Sequence, residues 1–256
     1  MKSNTRLTLW AIVTVGFLVT IGCDKASKVS VTAGGGQVDR DLSRVSEVRR
    51  LLRSACGKLR TAVADATQSE VLLTAAADET DGALTLWREF IREHADMSPA
   101  AYTAHENWDR DAYDIEQGIL KMLEETTAKR PTEAFQTCGH TCGKFVEMNE
   151  KAGIRRTSDV LFQFRKVAKP LAEPAKAGTL VPLSEALPRL LKLRDDALTD
   201  PVGGTGTLEQ KRLALVSFSA DVDAFAKAVR NDGTGQVADL YDTMMKAMEQ
   251  AYDLFL

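Results

Sequence analysis

Two thiols flank an imidazole in the stretch Cys138-Gly139-His140-Thr141-Cys142. Thiolate and imidazole are the common zinc ligands, and each is a common partner in nucleophilic catalysis. On a helix, however, Cys138 and Cys142 share one face while His140 points to the other. A Cys-x-His-x-Cys set so arranged cannot converge on one tetrahedral ion, so no metal site is expected there. Nor does the chain show a nucleophile–base constellation, and it is not expected to be an enzyme. Carboxylate-bridged metal sites in bundles need inward Glu-x-x-His pairs, whereas Glu93 and His94 are adjacent and diverge. His94 and His105 are expected to face solvent or cap helices, and Asp109, Asp111 and Asp114 to form a solvated face. Met244, Met245 and Met248 fall at helical spacing and read as core filler. The glycines at 203, 204 and 206 lack the lysine and preceding strand of a phosphate loop, and read as a linker.

The remaining cysteines are Cys23 and Cys56. Lys2 and Arg6 precede an apolar run from Leu7 to Ile21, after which comes Gly22-Cys23. This has the order of an export signal, and the run is shorter than the roughly 20 residues of a spanning helix. Glycine directly before cysteine resembles a bacterial lipoprotein signal, although Thr20 replaces the usual leucine. The resemblance implies cleavage after residue 22 and lipidation of Cys23. The chain would then face the periplasmic side of the cell envelope, anchored to the membrane. Three thiols would remain, Cys56, Cys138 and Cys142; outside the cytoplasm that odd count suggests one disulfide and one free thiol, or no pairing.

The 256 residues are 44% hydrophobic and 27% charged, with a formal net charge of -3. These are globular values, and the acidic balance argues against a nucleic-acid partner. Residues 23–40 are polar and glycine-rich and are expected to form a flexible tether. Everything beyond has helical periodicity. Val45, Val48, Leu52, Cys56, Leu59 and Val63 mark the face of a first helix. Ala76, Ala83, Trp87, Phe90 and Ile91 mark a second ending near His94. Trp108, Ala112, Ile115, Ile119 and Met122 mark a third. Pro131 opens a fourth, lined by Phe135, Cys138, Cys142 and Phe145 and closed by Gly153.

The second half repeats the scheme. Val160, Phe164, Val167 and Leu171 line one helix, broken or kinked by Pro170 and Pro174. Leu187, Leu191 and Leu198 line the next. Beyond the break at residues 200–204, Thr207 with Gln210 forms a capping-box pattern. It opens a helix lined by Leu215, Phe218, Val222, Phe225 and Val229. After the turn at Asp232-Gly233 come Val237, Tyr241, Met244, Met248, Tyr252 and Phe255. One constant shift pairs Trp108 with Leu215, Ile115 with Val222, Met122 with Val229 and Phe145 with Tyr252. The expected architecture is all-α: two tandem antiparallel four-helix bundles, residues 41–153 and 154–256.

On these motifs the chain resembles the cytochrome c-prime family, four-helix bundles with one c-type haem. There the last helix holds Cys-x-x-Cys-His followed by an aromatic residue. Aligned on Phe145, Cys138 takes the first cysteine position, Thr141 the second, and Cys142 that of the iron-ligating histidine. In the second repeat Met245 and Met248 take the cysteine positions, Glu249 the histidine and Tyr252 the aromatic one. The imidazole that fixes the iron is missing from both repeats. The resemblance therefore implies a bundle that has lost covalent haem. It would act as a non-catalytic binding or scaffold module for an envelope protein or small ligand, possible as a homodimer. The alternative is a divergent haem protein in electron transfer or gas binding, with Cys142 as a candidate ligand. In this family the first helix faces the haem-bearing one, which implies a possible disulfide from Cys56 to Cys138 or Cys142. The other reading of Cys138 and Cys142 is as small apolar core residues. Gly139 and Gly143 are compatible with close cofactor approach or with close helix packing.

Overall fold

The computed structural model describes residues 35–256, apart from 66, 200, 202, 232 and 234. Cys23, the leader and most of the expected tether lie outside the described residues, as do Asp200 and Asp232. Every regular element among the described residues is helical, so the chain is all-α.

Helix α1 (Gly35–Ala64) begins inside the expected tether. Residues 35–40 are helical there, held by local bonds one turn apart. The Gln37 amide donates to Asp41 at 2.8 Å and Arg40 to the Gly36 carbonyl at 3.2 Å. Val45, Val48, Leu52, Cys56 and Leu59 are buried along one face. Val63, expected to continue that face, is instead exposed, and Ala62 is buried in its place. The apolar stripe follows the helical pitch and has turned off Val63 at the helix end.

Helices α2 (Ser69–Glu93), α3 (Trp108–Thr127) and α4 (Pro131–Lys151) follow. Successive helices pack together, and α4 also packs on α1. Rings fill the interior of this group. Trp87 lies 5.1 Å from Phe145 and 6.0 Å from Trp108, and Tyr102 stacks on Trp108 at 4.9 Å. The buried Trp87 indole donates to the Ala112 carbonyl at 3.0 Å, which removes the cost of burying its N–H. Gly153 adopts a φ of 69° just beyond α4.

In the second half, α5 (Thr157–Ala168) runs into a 3-10 turn at Lys169–Leu171 and the short α6 (Ala172–Lys176). Then come α7 (Leu180–Leu198), α8 (Leu208–Arg230) and α9 (Val237–Phe255). Helix α5 packs on α7 and α9, and α8 packs on the same two. The prolines break the run after α5, and the Tyr241 hydroxyl donates to the Ala168 carbonyl at the break. Leu161, Phe164 and Ala168 of α5 enter the core, while Val160 and Val167 pack against it half-buried. On α7 the buried set is Leu183, Leu187, Leu190, Leu193 and Ala197; Leu191 is half-buried and Leu198 exposed. Thr207 and Gln210 make both bonds of the capping box at the start of α8. In the linker that precedes it, Gly204 has a φ of 83°, and a β-carbon there would collide with the Leu254 carbonyl.

The two groups enclose separate apolar cores, yet the described residues belong to one compact unit. A polar seam joins them. Arg49 of α1 meets Asp159 of α5 at 2.6 Å, with both side chains nearly inaccessible. Asn149 of α4 donates to Asp159 at 2.8 Å and accepts from the Tyr102 hydroxyl at 2.8 Å. Nearer the surface, Arg53 pairs with Asp253 at 3.0 Å and Glu249 at 3.5 Å.

Removing one partner of a buried ion pair strands the other charge, whereas replacing both with apolar groups does not. Arg49→Met or Asp159→Leu is therefore expected to lower unfolding free energy in urea by roughly 3–5 kcal/mol. The double variant should recover most of that loss; strictly additive losses would show that the pair is not coupled.

Candidate functional site

The thiols of α4 face α1. Cys138 is fully buried and disulfide-bonded to Cys56, with Cα atoms 6.1 Å apart. That separation is ordinary for a disulfide and follows from direct packing of α1 on α4. Cys142, one turn further along, is a free buried thiol. Burial pushes its pKa up, against the pull of Arg49, Arg165 and Arg53. It is therefore held as the neutral thiol, a poor nucleophile.

Thr141 and Phe145, expected at the same site, have further neighbours of their own. Thr141 sits against α3, where a β-carbon on Gly118 would lie 2.5 Å from its hydroxyl oxygen. Phe145 belongs to the aromatic cluster around Trp87. Cys138, Cys142 and Phe145 thus share one apolar core, while Thr141 is turned toward α3. His140 is exposed and borders the cavity described next, outside the group formed by the three sulfurs.

A cavity of about 400 Å³ opens where α4 and α1 of the first group meet α5 and α9 of the second. Cys56 and Cys142 form part of its wall, and Phe135, Phe162 and Tyr252 supply aromatic surface. Gly139 borders it with nothing within 4 Å of where a β-carbon would stand, and at Gly143 only the Phe162 ring comes near, at 3.9 Å. These two glycines leave open space rather than permit tight helix packing. Four cationic side chains line the cavity, Arg53, Arg165, Lys166 and Lys169, against one carboxylate, Glu147.

The charge there is only partly balanced. Glu249 of α9 takes Arg60 at 3.2 Å, Arg53 at 3.5 Å and Arg165 at 3.8 Å. Burial opposes its ionisation, but the three guanidinium groups hold its carboxyl below the usual range. Burial and the neighbouring Arg53 lower the pKa of Arg165 even so. An anion beside Arg165 would relieve that repulsion. Lys166 makes no ion pair among the described residues, and Lys169 lies over the Phe135 ring at 5.5 Å. Tyr252 is pushed up to about 12 by burial and stays a neutral phenol.

Two polar expectations need correction. His105 is buried, and its Nε2 lies 2.9 Å from Asp111, which is buried too rather than on a solvated face. Burial alone would raise the Asp111 pKa; Lys151 and His105 more than offset it and hold the carboxyl low. Both residues flank the start of α3, where the chain enters the helix over the 3-10 turn at Ala100–Tyr102. His94 stands at the end of α2 as expected, its ring against Phe90 and 3.6 Å from Asp41.

The cationic wall was not anticipated, though Arg165, Lys166 and Lys169 do form a stripe at helical spacing in the sequence. What periodicity could not supply was the pairing of that stripe with Cys142, because they lie on different helices. No family model, no curated protein and no solved structure matches the chain.

The arrangement makes thiol chemistry a direct readout. Without reductant, none of Cys56, Cys138 and Cys142 should react rapidly with an aromatic disulfide reagent in the folded chain, and Cys142 alone should react after unfolding. Reductant should raise the count to all three and lower stability by roughly 2–4 kcal/mol. Rapid labelling of Cys142 in the folded protein would contradict its burial.

Proposed function

We propose that this chain is an exported, membrane-tethered lipoprotein whose helical part is a non-catalytic binding module. We read its two helix groups as tandem antiparallel four-helix bundles derived by duplication. Their separate cores and the burial of the paired positions, Trp108 with Leu215 and Phe145 with Tyr252, support that reading. The resemblance to the cytochrome c-prime family enters on the same footing, as an ancestry whose covalent cofactor chemistry has lapsed. Cys138, the first thioether position, is committed to Cys56.

One observation carries the binding role: a cavity with apolar walls and an excess of cations. Apolar concave sites with a few placed polar groups are the usual form of small-ligand sites. The ligand class that fits is a small organic anion with an apolar body. Phe162 and Tyr252 would cover the body, and Arg165 and Lys166 would meet the anionic end. The envelope setting would place the module at the periplasmic face, held by lipid on Cys23.

An anionic naphthalene-sulfonate dye tests the site. The folded protein should bind it with enhanced fluorescence. Gly139→Phe, which adds a ring in open space, should abolish binding without loss of helix content; unchanged binding would refute the assignment. Cys23→Ser tests the tether and should move the chain from the membrane fraction to the soluble one.

A second reading is non-covalent haem. Its support is that Cys142, at the iron-ligand position of the resemblance, lines the cavity together with Tyr252. Hemin added to the purified chain should then give a Soret band that Cys142→Ala shifts. A spectrum identical to free hemin would remove this alternative.

A further inference from the structure

Three sulfurs converge in the wall of the cavity. The sulfur atoms of Cys56, Cys138 and Cys142 all lie within 4.8 Å of one another. One comes from α1 and two from successive turns of α4. In the oxidised chain two are joined, and the third sits beside them as a thiol. A phosphine with one water, or a dithiol, delivers two electrons and two protons to the Cys56–Cys138 bond, which breaks to leave two thiols and a phosphine oxide or a cyclic disulfide. Three soft donors are then held within reach of one ion by the positions of α1 and α4.

The donor set narrows the guest. The cluster contains thiols alone, with no imidazole or carboxylate among its members. Structural zinc sites close with four protein ligands, whereas this cluster brings three. Thiolates select soft ions, copper(I) first among the monovalent ones, and copper(I) is satisfied by three. Charge points the same way. Three thiols binding one copper(I) release three protons, leaving a complex of charge −2 with the metal's oxidation state unchanged. The positive charges of Arg49, Arg165 and Arg53 all act on Cys142, so the excess negative charge falls among guanidinium groups. Cys56 and Cys142 line the cavity and give the ion a route in.

We propose that the reduced protein binds one copper(I) ion through Cys56, Cys138 and Cys142, and that this state and the disulfide exclude one another. The site does not depend on the organic-anion reading, because it needs only the three sulfurs and their reduction.

The test uses the full mature chain, reduced anaerobically with a phosphine and titrated with copper(I) buffered by a bicinchoninate chelator. One equivalent should be taken up, with three sulfur neighbours in the X-ray absorption spectrum, and the oxidised protein should take up none. Cys142→Ala keeps both disulfide partners and so keeps the oxidised fold. After reduction it should bind copper(I) at least about tenfold more weakly, since losing even a supporting outer-shell group costs about that much. Equal uptake by wild type and variant, two sulfur neighbours, or uptake by the oxidised chain would each overturn the proposal. So would a reduced chain that loses its helices and does not regain them with copper.

Discussion

The ion pair between Arg49 and Asp159 is the constraint on which the two halves depend. Each charge would cost several kcal/mol to bury alone, so neither side chain can stay in place without the other. Asn149 and Tyr102 extend the pair into a hydrogen-bonded chain that reaches α4 and the turn before α3. A polar network of this kind tolerates little sliding, since a shifted α5 would strand Arg49. Apolar packing closes each core, while the network sets where the cores stand relative to each other.

The cavity follows from that placement. Each helix group satisfies its own interior with rings and aliphatic chains, so surfaces that meet between groups are the outer faces of α1, α4, α5 and α9. Outer faces carry charge, and here α1 and α5 both bring arginines to the junction. Glu249 and Asp253 absorb part of this charge, and Lys166 is left without an ionic partner among the described residues. The two glycines of α4 keep the surfaces from filling the gap. A concave site with excess positive charge results without any element being distorted.

The thiols sit where the two arrangements intersect. Packing of α1 on α4 brings Cys56 to Cys138, and the one-turn spacing along α4 brings Cys142 beside both. The environment then divides their chemistry. Two are covalently committed, and burial holds the third neutral despite three nearby cations.

Much of the secondary structure was legible from residue types alone. Trp108, Ile115, Phe218, Val222 and Met244 recur at helical steps because one face of each helix must leave water, and all are buried. Thr207 and Gln210 announce a helix start through bonds that lie within four residues. Reading failed where the deciding partner lies on another element. Val63 and Leu198 fit the period but fall beyond what the neighbouring helices cover. Asp111 looked solvated, yet it is buried against His105, whose other ring nitrogen accepts from the Asn107 N–H at the start of α3. Nothing in the sequence marks Arg49 for burial, because its partner Asp159 lies on a distant helix. Gly118 gives no sign that α3 must approach Thr141 so closely. Local periodicity therefore determined the helices and most of their buried faces, because those depend on spacing along one chain segment. Which thiol pairs, which cations share a cavity and where charge is buried were decided only by tertiary structure, because each depends on the distance between atoms that sequence order does not relate.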